Sequence, residues 1–402
     1  MKFSAVDESM MARALKLAER GLWTTKPNPR VGCVIAQGET IVGEGWHERA
    51  GGPHAEVFAL RAAGEKARGA TVYVTLEPCA HHGRTPPCAD ALIAAGVARV
   101  IAATEDPFPK VDGHGLKRLR KAGIQVATGL LRDKARELNQ GFFSRIERGR
   151  PWVRVKVASS VDGRIALANG ESKWITGPSA RADVQRWRAQ SSAIVTGIGT
   201  VLADDPRLTA RPRGIAARLR RSRSPASVIE LRPRGTRATP KAQPQISDLV
   251  PPLRVVLDSR LRTPDGAHVL DGSVPTLIVH ASAAKPIDKR FDKVERIAVA
   301  AKAGRLDLAD VLAALAEREV NEVQVEAGSH LVGSFLQSGF VDELLIYMAP
   351  VILGNTARPM VAMPGLASIK EGTVMTLVEQ RAFGPDFRLR FLPGDHDVHG
   401  DH

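Results

Sequence analysis

His54 and Glu56 stand two residues apart in "GGPHAEVFAL", Cys79 follows a proline in "YVTLEPCAHHGRTPPCADALIAAG", and Cys88 opens the apolar run at the end of that stretch. One imidazole and two thiolates are donors that zinc favours, and a catalytic zinc keeps three protein ligands and leaves its fourth position to water. His54, Cys79 and Cys88 make that count. Zinc lowers the pKa of bound water to about 7, so hydrolysis at neutral pH is the chemistry on offer. Glu56 is then not a ligand and is free to carry protons. Neighbours two apart in a regular helix diverge by roughly 200°, so His54 must sit at the helix mouth for both side chains to reach one cavity. Pro53, just before it, suits a helix start. Both sulfurs fall near helix beginnings, where the backbone dipole favours the thiolate.

H-x-E followed by Pro-Cys and a second Cys is the pattern of zinc-dependent deaminases, in which the glutamate passes protons to the leaving amine. Eight residues rather than two separate the cysteines here, and the longer loop carries His81 and His82 as competing ligands. A lone H-x-E triplet would be read as a polar turn capping a helix. With its two cysteine partners it reads as a metal site, catalytic if the fourth position is open and structural if a residue such as His82 fills it.

The elements that must hold these residues alternate. A helix is expected near Ser9 to Arg20, then the strand "VGCVIAQ", the return "TIVGEGWH", a helix from His54 to about Ala63, the strand "TVYVTLEP", the helix "CADALIAAG" and the strand "RVIAAT". This is a three-layer α/β pattern. A charged Gly/Pro connector near Arg148 to Pro151 ends it. A second α/β pattern follows, with strands "WVRVKVA", "AIVTGIG", "LRVVLDS", "TLIVHA", "VNEVQVEAG" and "ELLIYMAPVIL". The domains are therefore expected at 1–148 and 151–395, with a polar tail at 396–402.

In the second domain, "VKVASSVDGRIALANGESKWITGP" ends a strand in small residues, Ala158 to Ser160, before Asp162-Gly163, an opening through which a flat ring can approach backbone. "VQVEAGSHLVGSFLQSG" is a strand, a glycine turn and a helix whose first N–H groups can receive phosphate.

Bulk properties narrow the class. The 402 residues exceed one usual domain, and a composition poor in aromatics and rich in Ala, Val, Leu and Gly suits α/β layers. Three cysteines, Cys33, Cys79 and Cys88, cannot form a disulfide framework and point to a reducing compartment. No apolar run approaches the roughly 18 to 20 residues that span a bilayer, and the first helix carries acids, so a cytoplasmic chain without a membrane segment or secretory signal is expected. The net charge is +14, but eleven Lys or Arg against two acids lie between Arg211 and Arg254, about +9 of the total. That Arg/Pro-rich insertion, about 212–250, lacks hydrophobic periodicity and reads as a solvated surface segment.

Taken together, "PNPRVGCVI", "GEGWHERAGGPHAE", "TLEPCAHHGRTPPCADALIAAG" and the continuation beyond residue 150 resemble the bifunctional riboflavin-biosynthesis deaminase/reductase of bacteria. The likeness spans nearly the whole chain except the insertion and the tail. It implies an N-terminal cytidine-deaminase-like domain that hydrolyses the 2-amino group of 2,5-diamino-6-ribosylamino-4(3H)-pyrimidinone 5′-phosphate. A C-terminal dihydrofolate-reductase-like α/β domain would then reduce the ribosyl group to ribityl with NADPH. The family's zinc ligands fall on His54, Cys79 and Cys88, and its proton shuttle on Glu56. Asn28, His47, His81 and Arg84 match contacts to the pyrimidine substrate. Where the family often reads D-P-N-P this chain has "DPFP", so Phe108 removes any polar contact from an asparagine there.

In the second domain the resemblance assigns NADP contacts to Ala158, Trp174, Thr200, Asp204, Ser259 and the run Gly328, Ser329, His330, Leu331, Val332, Gly333 and Ser334. Substrate contacts fall on Ser172, Arg188, Leu208, Arg211 and Glu326, and the arginines suit a ribose phosphate, which they can grip bidentately. Lys156 and Asp204 are further candidates for orienting the sugar, although Lys156 reads equally as a lysine at a strand edge. A homo-oligomer without a specific nucleic-acid partner is expected. Two other classes share some features: a tRNA-type base deaminase, from the zinc motif and net charge, and an RNA-binding module with structural zinc. The second α/β domain and the confinement of charge to one stretch weigh against the former, and an intact Glu56 against the latter.

Overall fold

Helices at Ala5–Ala18 (α1), Ala55–Ala63 (α2), Cys88–Ala94 (α3), His114–Lys121 (α4), Arg132–Leu138 (α5) and Gln140–Arg148 (α6) alternate with five strands over the first 150 residues. The strands are Gly32–Gln37 (β1), Thr40–Trp46 (β2), Thr71–Val74 (β3), Arg99–Ala102 (β4) and Gln125–Thr128 (β5), ordered β2-β1-β3-β4-β5. The computed structural model describes residues 2–80, 87–109, 111–211, 249–284 and 289–394. The chain divides into two compact units, Met1–Pro151 and Trp152–His402.

In the first unit β1 is antiparallel to β2 and β3, whereas β3, β4 and β5 are parallel. Alternate residues of β1 face opposite layers, as strand geometry requires. Cys33 and Ile35 join Ala55, Ala59, Leu92 and Leu116 from α2, α3 and α4, while Val34 and Ala36 join Met11, Ala14 and Ala135 from α1 and α5. The result is the three-layer sandwich expected of this half.

α1 begins at Ala5, ahead of the expected Ser9. Ser4 accepts the Asp7 N–H at 3.1 Å while Asp7 accepts the Ser4 N–H at 3.0 Å, a reciprocal cap that starts the helix early. Asp7 is itself buried and accepts from Tyr73 Oη (2.9 Å) and Arg99 (3.0 Å), fastening α1 to β3 and β4. α2 lies unusually close to β2. A Cβ on Gly43 would fall 2.2 Å from Ala59 O, and one on Gly45 2.3 Å from Ala55 O, so only glycine admits the helix at that height.

The second unit is built on strands Trp152–Ser160 (β6), Arg164–Ala166 (β7), Ala193–Gly197 (β8), Leu253–Leu257 (β9), Thr276–Ala281 (β10), Glu295–Val299 (β11), Ala301–Lys302 (β12), Arg305–Leu306 (β13), Glu322–Val325 (β14), Glu343–Ala349 (β15), Arg358–Pro359 (β16), Met375–Phe383 (β17) and Asp386–Pro393 (β18). Its helices are Pro178–Gln190 (α7), Ile198–Asp204 (α8), Leu308–Glu317 (α9) and Ser329–Gln337 (α10). Nine strands form one sheet, β11-β10-β9-β8-β14-β6-β15-β18-β17, parallel except that β18 opposes both β15 and β17.

β6 carries Val153, Val155 and Val157 into an apolar layer with Leu312, Leu315 and Phe335. Its other face is charged and still buried. Arg154, 1% exposed, donates to Glu343 at 2.9 Å and to Glu322 at 3.4 Å and stacks 4.4 Å from the Trp187 ring of α7. Tyr347 and Arg388 both donate to Asp183 on the same helix. β6 is interior to the sheet, so Lys156 is not a lysine at a strand edge. The insertion core at 212–248, His81, Arg84 and the tail lie outside the described residues. Among the described residues no helix is long and apolar enough to cross a membrane.

Candidate functional site

His54 is the N-cap of α2, with extended backbone (φ −76°, ψ 166°), and Glu56 lies in the first turn behind it. The break in helical geometry between them lets both side chains turn to one cavity. His54 Nδ1 lies 3.2 Å from Cys88 Sγ and 3.6 Å from Cys79 Sγ, and the three donor atoms fall within 4.8 Å of one another. Tetrahedral zinc with its usual bond lengths separates nitrogen and sulfur donors by roughly 3.5 Å. The donor set therefore fits zinc in kind and spacing, and it is the only such His/Cys/Asp/Glu group among the described residues.

Cys88 opens α3, and its N–H donates to Cys79 Sγ at 3.4 Å, so a helix start bears on both sulfurs. A side-chain hydrogen bond between the two thiols holds Cys79 down at about 4, against burial and with help from His54 and the Cys88 N–H. The same bond, with burial, pushes the Cys88 thiol up. Hydrogen bonding to Cys79 outweighs burial to raise His54 to about 9. Metal binding to these donors would therefore release protons.

Glu56 is 3% exposed, and its Oε2 has no hydrogen-bond partner among the described residues. Burial pushes its carboxyl upward while His54 pulls it down. A buried carboxylate oxygen left unmatched beside three metal donors is suited to a reacting proton. His47 sits against His54, edge to face at 5.5 Å. Its Nδ1 donates to Pro53 O (3.1 Å), leaving Nε2 to accept from Asn28 Nδ2 (3.1 Å), and burial lowers its pKa. Asn28 and His47 are therefore brought to the metal donors.

Two buried acids beside this site escaped the sequence reading. Glu77, two residues before Cys79, accepts backbone N–H groups from Asp106, Gly113, Gly115 and Leu116. Asp106 is pushed up to about 7 by burial, reinforced by the charges of Glu77 and Cys79. Phe108 lies beside it and donates its N–H to Asp106 Oδ1 at 2.9 Å.

In the second unit the proposed cofactor residues gather at the carboxyl ends of neighbouring strands. Ala158 lies two residues before the end of β6, Thr200 lies in α8 directly after β8, Ser259 follows β9, and Gly328 caps α10 after β14. Open α/β sheets bind ligands at that edge. Within the glycine turn, Val332 is buried in the apolar core and a Cβ on Gly333 would fall 2.0 Å from Ala362 O. Gly328 and His330 are exposed and Ser329 buried, with Leu331 and Ser334 half-buried, so ligand access is concentrated in the first turn. Ser172 Oγ reaches Asp204 at 3.5 Å, and Trp174 is 69% exposed beneath the Arg181 guanidinium at 4.4 Å.

The proposed substrate residues form a second group. Arg188 grips Glu326 through two bonds, 2.6 and 2.8 Å, and gives its remaining amine to Thr209 O at 3.1 Å. Three of its five N–H donors are thereby taken and two are left, so both Arg188 and Arg211 keep donors for a phosphate. Gln324 donates to Glu326 at 2.7 Å. Burial lowers the Lys156 pKa, opposed by the Glu326 charge, which places the amine beside this pair. Leu208 is buried in left-handed backbone (φ 46°), and the Arg211 N–H is held by Gln185 at 2.8 Å.

Residues 4–104 match the cytidine and deoxycytidylate deaminase zinc-binding region, and residues 151–389 match the RibD C-terminal domain. The riboflavin biosynthesis protein RibD of Escherichia coli is 47% identical over 388 residues, 96% of this chain and 99% of that one. The chain belongs to the RibD family. A solved RibD from Acinetobacter baumannii superposes with a TM-score of 0.83 at 42% identity, covering 97% of this chain and 99% of the other. A Thermotoga maritima diaminohydroxyphosphoribosylaminopyrimidine deaminase/5-amino-6-(5-phosphoribosylamino)uracil reductase gives 0.78 at 31% identity, with 97% and 99% coverage. The chain is thus a deaminase/reductase of riboflavin biosynthesis, with a cytidine-deaminase-like first domain and a dihydrofolate-reductase-like second.

Proposed function

We propose that the first unit deaminates 2,5-diamino-6-ribosylamino-4(3H)-pyrimidinone 5′-phosphate and that the second reduces the ribosyl chain of the product with NADPH. The observation that carries this is the convergence of His54, Cys79 and Cys88 beside a Glu56 oxygen with no partner among the described residues. Zinc, when bound, supplies Lewis acidity and makes hydroxide available near neutral pH. The chain's own residues do the rest. Glu56 takes a proton and returns it to the departing amine, and its burial keeps that carboxyl basic enough to accept one. His47, tautomerically fixed by Pro53 O, holds the Asn28 amide through Nε2, and Asn28 turns its remaining amide groups to the pyrimidine.

In the second unit, Arg188 and Gln324 hold the Glu326 carboxylate, and Lys156 stands beside it to orient the sugar. Arg211 meets the ribose phosphate. Ala158, Thr200, Ser259 and the first turn of α10 receive the dinucleotide, whose nicotinamide carries the hydride. The enzyme acts in the cytoplasm as a homo-oligomer and takes no specific nucleic acid. The test gives the purified zinc protein the diaminopyrimidine ribotide and follows ammonia release, then NADPH oxidation. Ammonia without subsequent NADPH oxidation would refute the second half, and neither would refute both.

A further inference from the structure

We infer that α4 is a brace for both metal-binding cysteines, with Glu77 as the positioning residue that sets the Cys79 thiolate. The inference rests on the zinc-site assignment above. Glu77 is 4% exposed, and Oε1 accepts the N–H groups of Gly115 (2.9 Å) and Leu116 (3.2 Å), while Oε2 accepts those of Gly113 (3.0 Å) and Asp106 (3.3 Å). A carboxylate offers about four lone-pair sites, and all are filled. Three of the donors belong to the start of α4, where the helix dipole also favours a negative charge.

The same turn is fixed on either side of Cys79. A Cβ on Gly115 would lie 1.8 Å from Pro78 O, so α4 presses directly on the residue preceding the ligand. Arg118, one turn further along α4, donates to Ala80 O at 3.1 Å, the carbonyl just after the ligand. It also pairs with Asp90 at 2.6 Å, two residues beyond Cys88 on α3. Residues 77, 78, 80 and 90 are all tied to one helix that supplies no ligand itself. The Arg118 contacts are partly exposed and screened, so Glu77 dominates the brace.

Glu77→Gln replaces one acceptor oxygen with an amide that faces two N–H donors. Residues that orient metal ligands typically change metal affinity by about 10- to 100-fold when replaced. The test compares zinc release from the full chain to a colorimetric chelator, with the cobalt-substituted protein reporting thiolate–metal charge-transfer bands. Release from Glu77→Gln is expected to be about 10- to 100-fold faster, with shifted cobalt bands and an unchanged rate of NADPH oxidation by the deaminated ribotide. Should Glu77→Gln not fold, Glu77→Asp keeps the charge, shortens the reach and is expected to fall between the two. Wild-type release rates and cobalt bands in either folded variant would overturn the brace while leaving the zinc assignment intact. A wild-type chain that purifies and reconstitutes without one zinc would instead sink the assignment itself, and the brace with it.

Discussion

Glu56 keeps an oxygen unmatched among the described residues at the cost of its own desolvation, and that arrangement is what a proton carrier needs. Glu56→Gln is expected to retain zinc and fold while ammonia release drops by about 10²- to 10⁴-fold. The variant should still reduce deaminated ribotide. Metal analysis together with the two rates checks this. At Glu326 burial alone would raise the carboxyl, but Arg188 outweighs it and holds the group at about 2, below its ordinary 4.5. The unfolded chain therefore binds the extra proton first as pH falls, so the pair's stabilisation is complete above about 4.5 and lost through about 2. Urea unfolding from pH 6 downward should show the advantage of wild type over Glu326→Gln shrinking in that window. Glu326→Gln should also lose reduction and keep deamination. The donors His54, Cys79 and Cys88 were legible because their chemistry is carried by residue type and local spacing. Glu77 was not, because its partners are backbone amides 29 to 39 residues away.

At the scale of elements, the height of α2 over the sheet depends on Gly43 and Gly45. Gly45→Val is expected to cost about 1–3 kcal/mol, the usual range for overpacking, and to lower zinc content because the same helix carries His54. Denaturant unfolding and metal analysis read the two effects separately. The α2 start was legible from Pro53 and the apolar run behind His54. The true start of α1 was missed because the apolar periodicity is weaker than the Ser4/Asp7 cap that overrides it. β5 and the β17–β18 pair were also absent from the expectation. β17 alternates largely exposed residues, so little apolar pattern marks it as a sheet member.

For the whole molecule, two successive α/β patterns were readable from alternating strands and helices. The charged layer under α7 was not, since V-R-V-K-V is also how a solvent-facing strand reads. Arg154→Met would remove the buried cation that Glu322 and Glu343 both accept from, and an expected loss of about 3–5 kcal/mol follows, measurable by thermal or urea unfolding. The Arg-rich insertion, expected from its sequence to be solvated, tests the opposite case. Replacing residues 214–248 with a short Gly/Ser linker should preserve both activities and reduce salt-sensitive retention on a polyanion column. Arg211 must be kept. Lost deamination of the ribotide in the shortened chain would show that the insertion serves the site.

The three metal donors stand at the mouth of α2, in the turn after β3 and at the mouth of α3, so a bound ion closes loops of about 25 and 9 residues at once. Closure entropy grows only slowly with loop length, which makes the ion a cross-link comparable in kind to a short disulfide, in a chain whose cysteines form none. Chelation should therefore act as a local reduction would. Amide exchange in α3 is expected to quicken on zinc removal while β3 and β4, paired across the middle of their sheet, keep their protection.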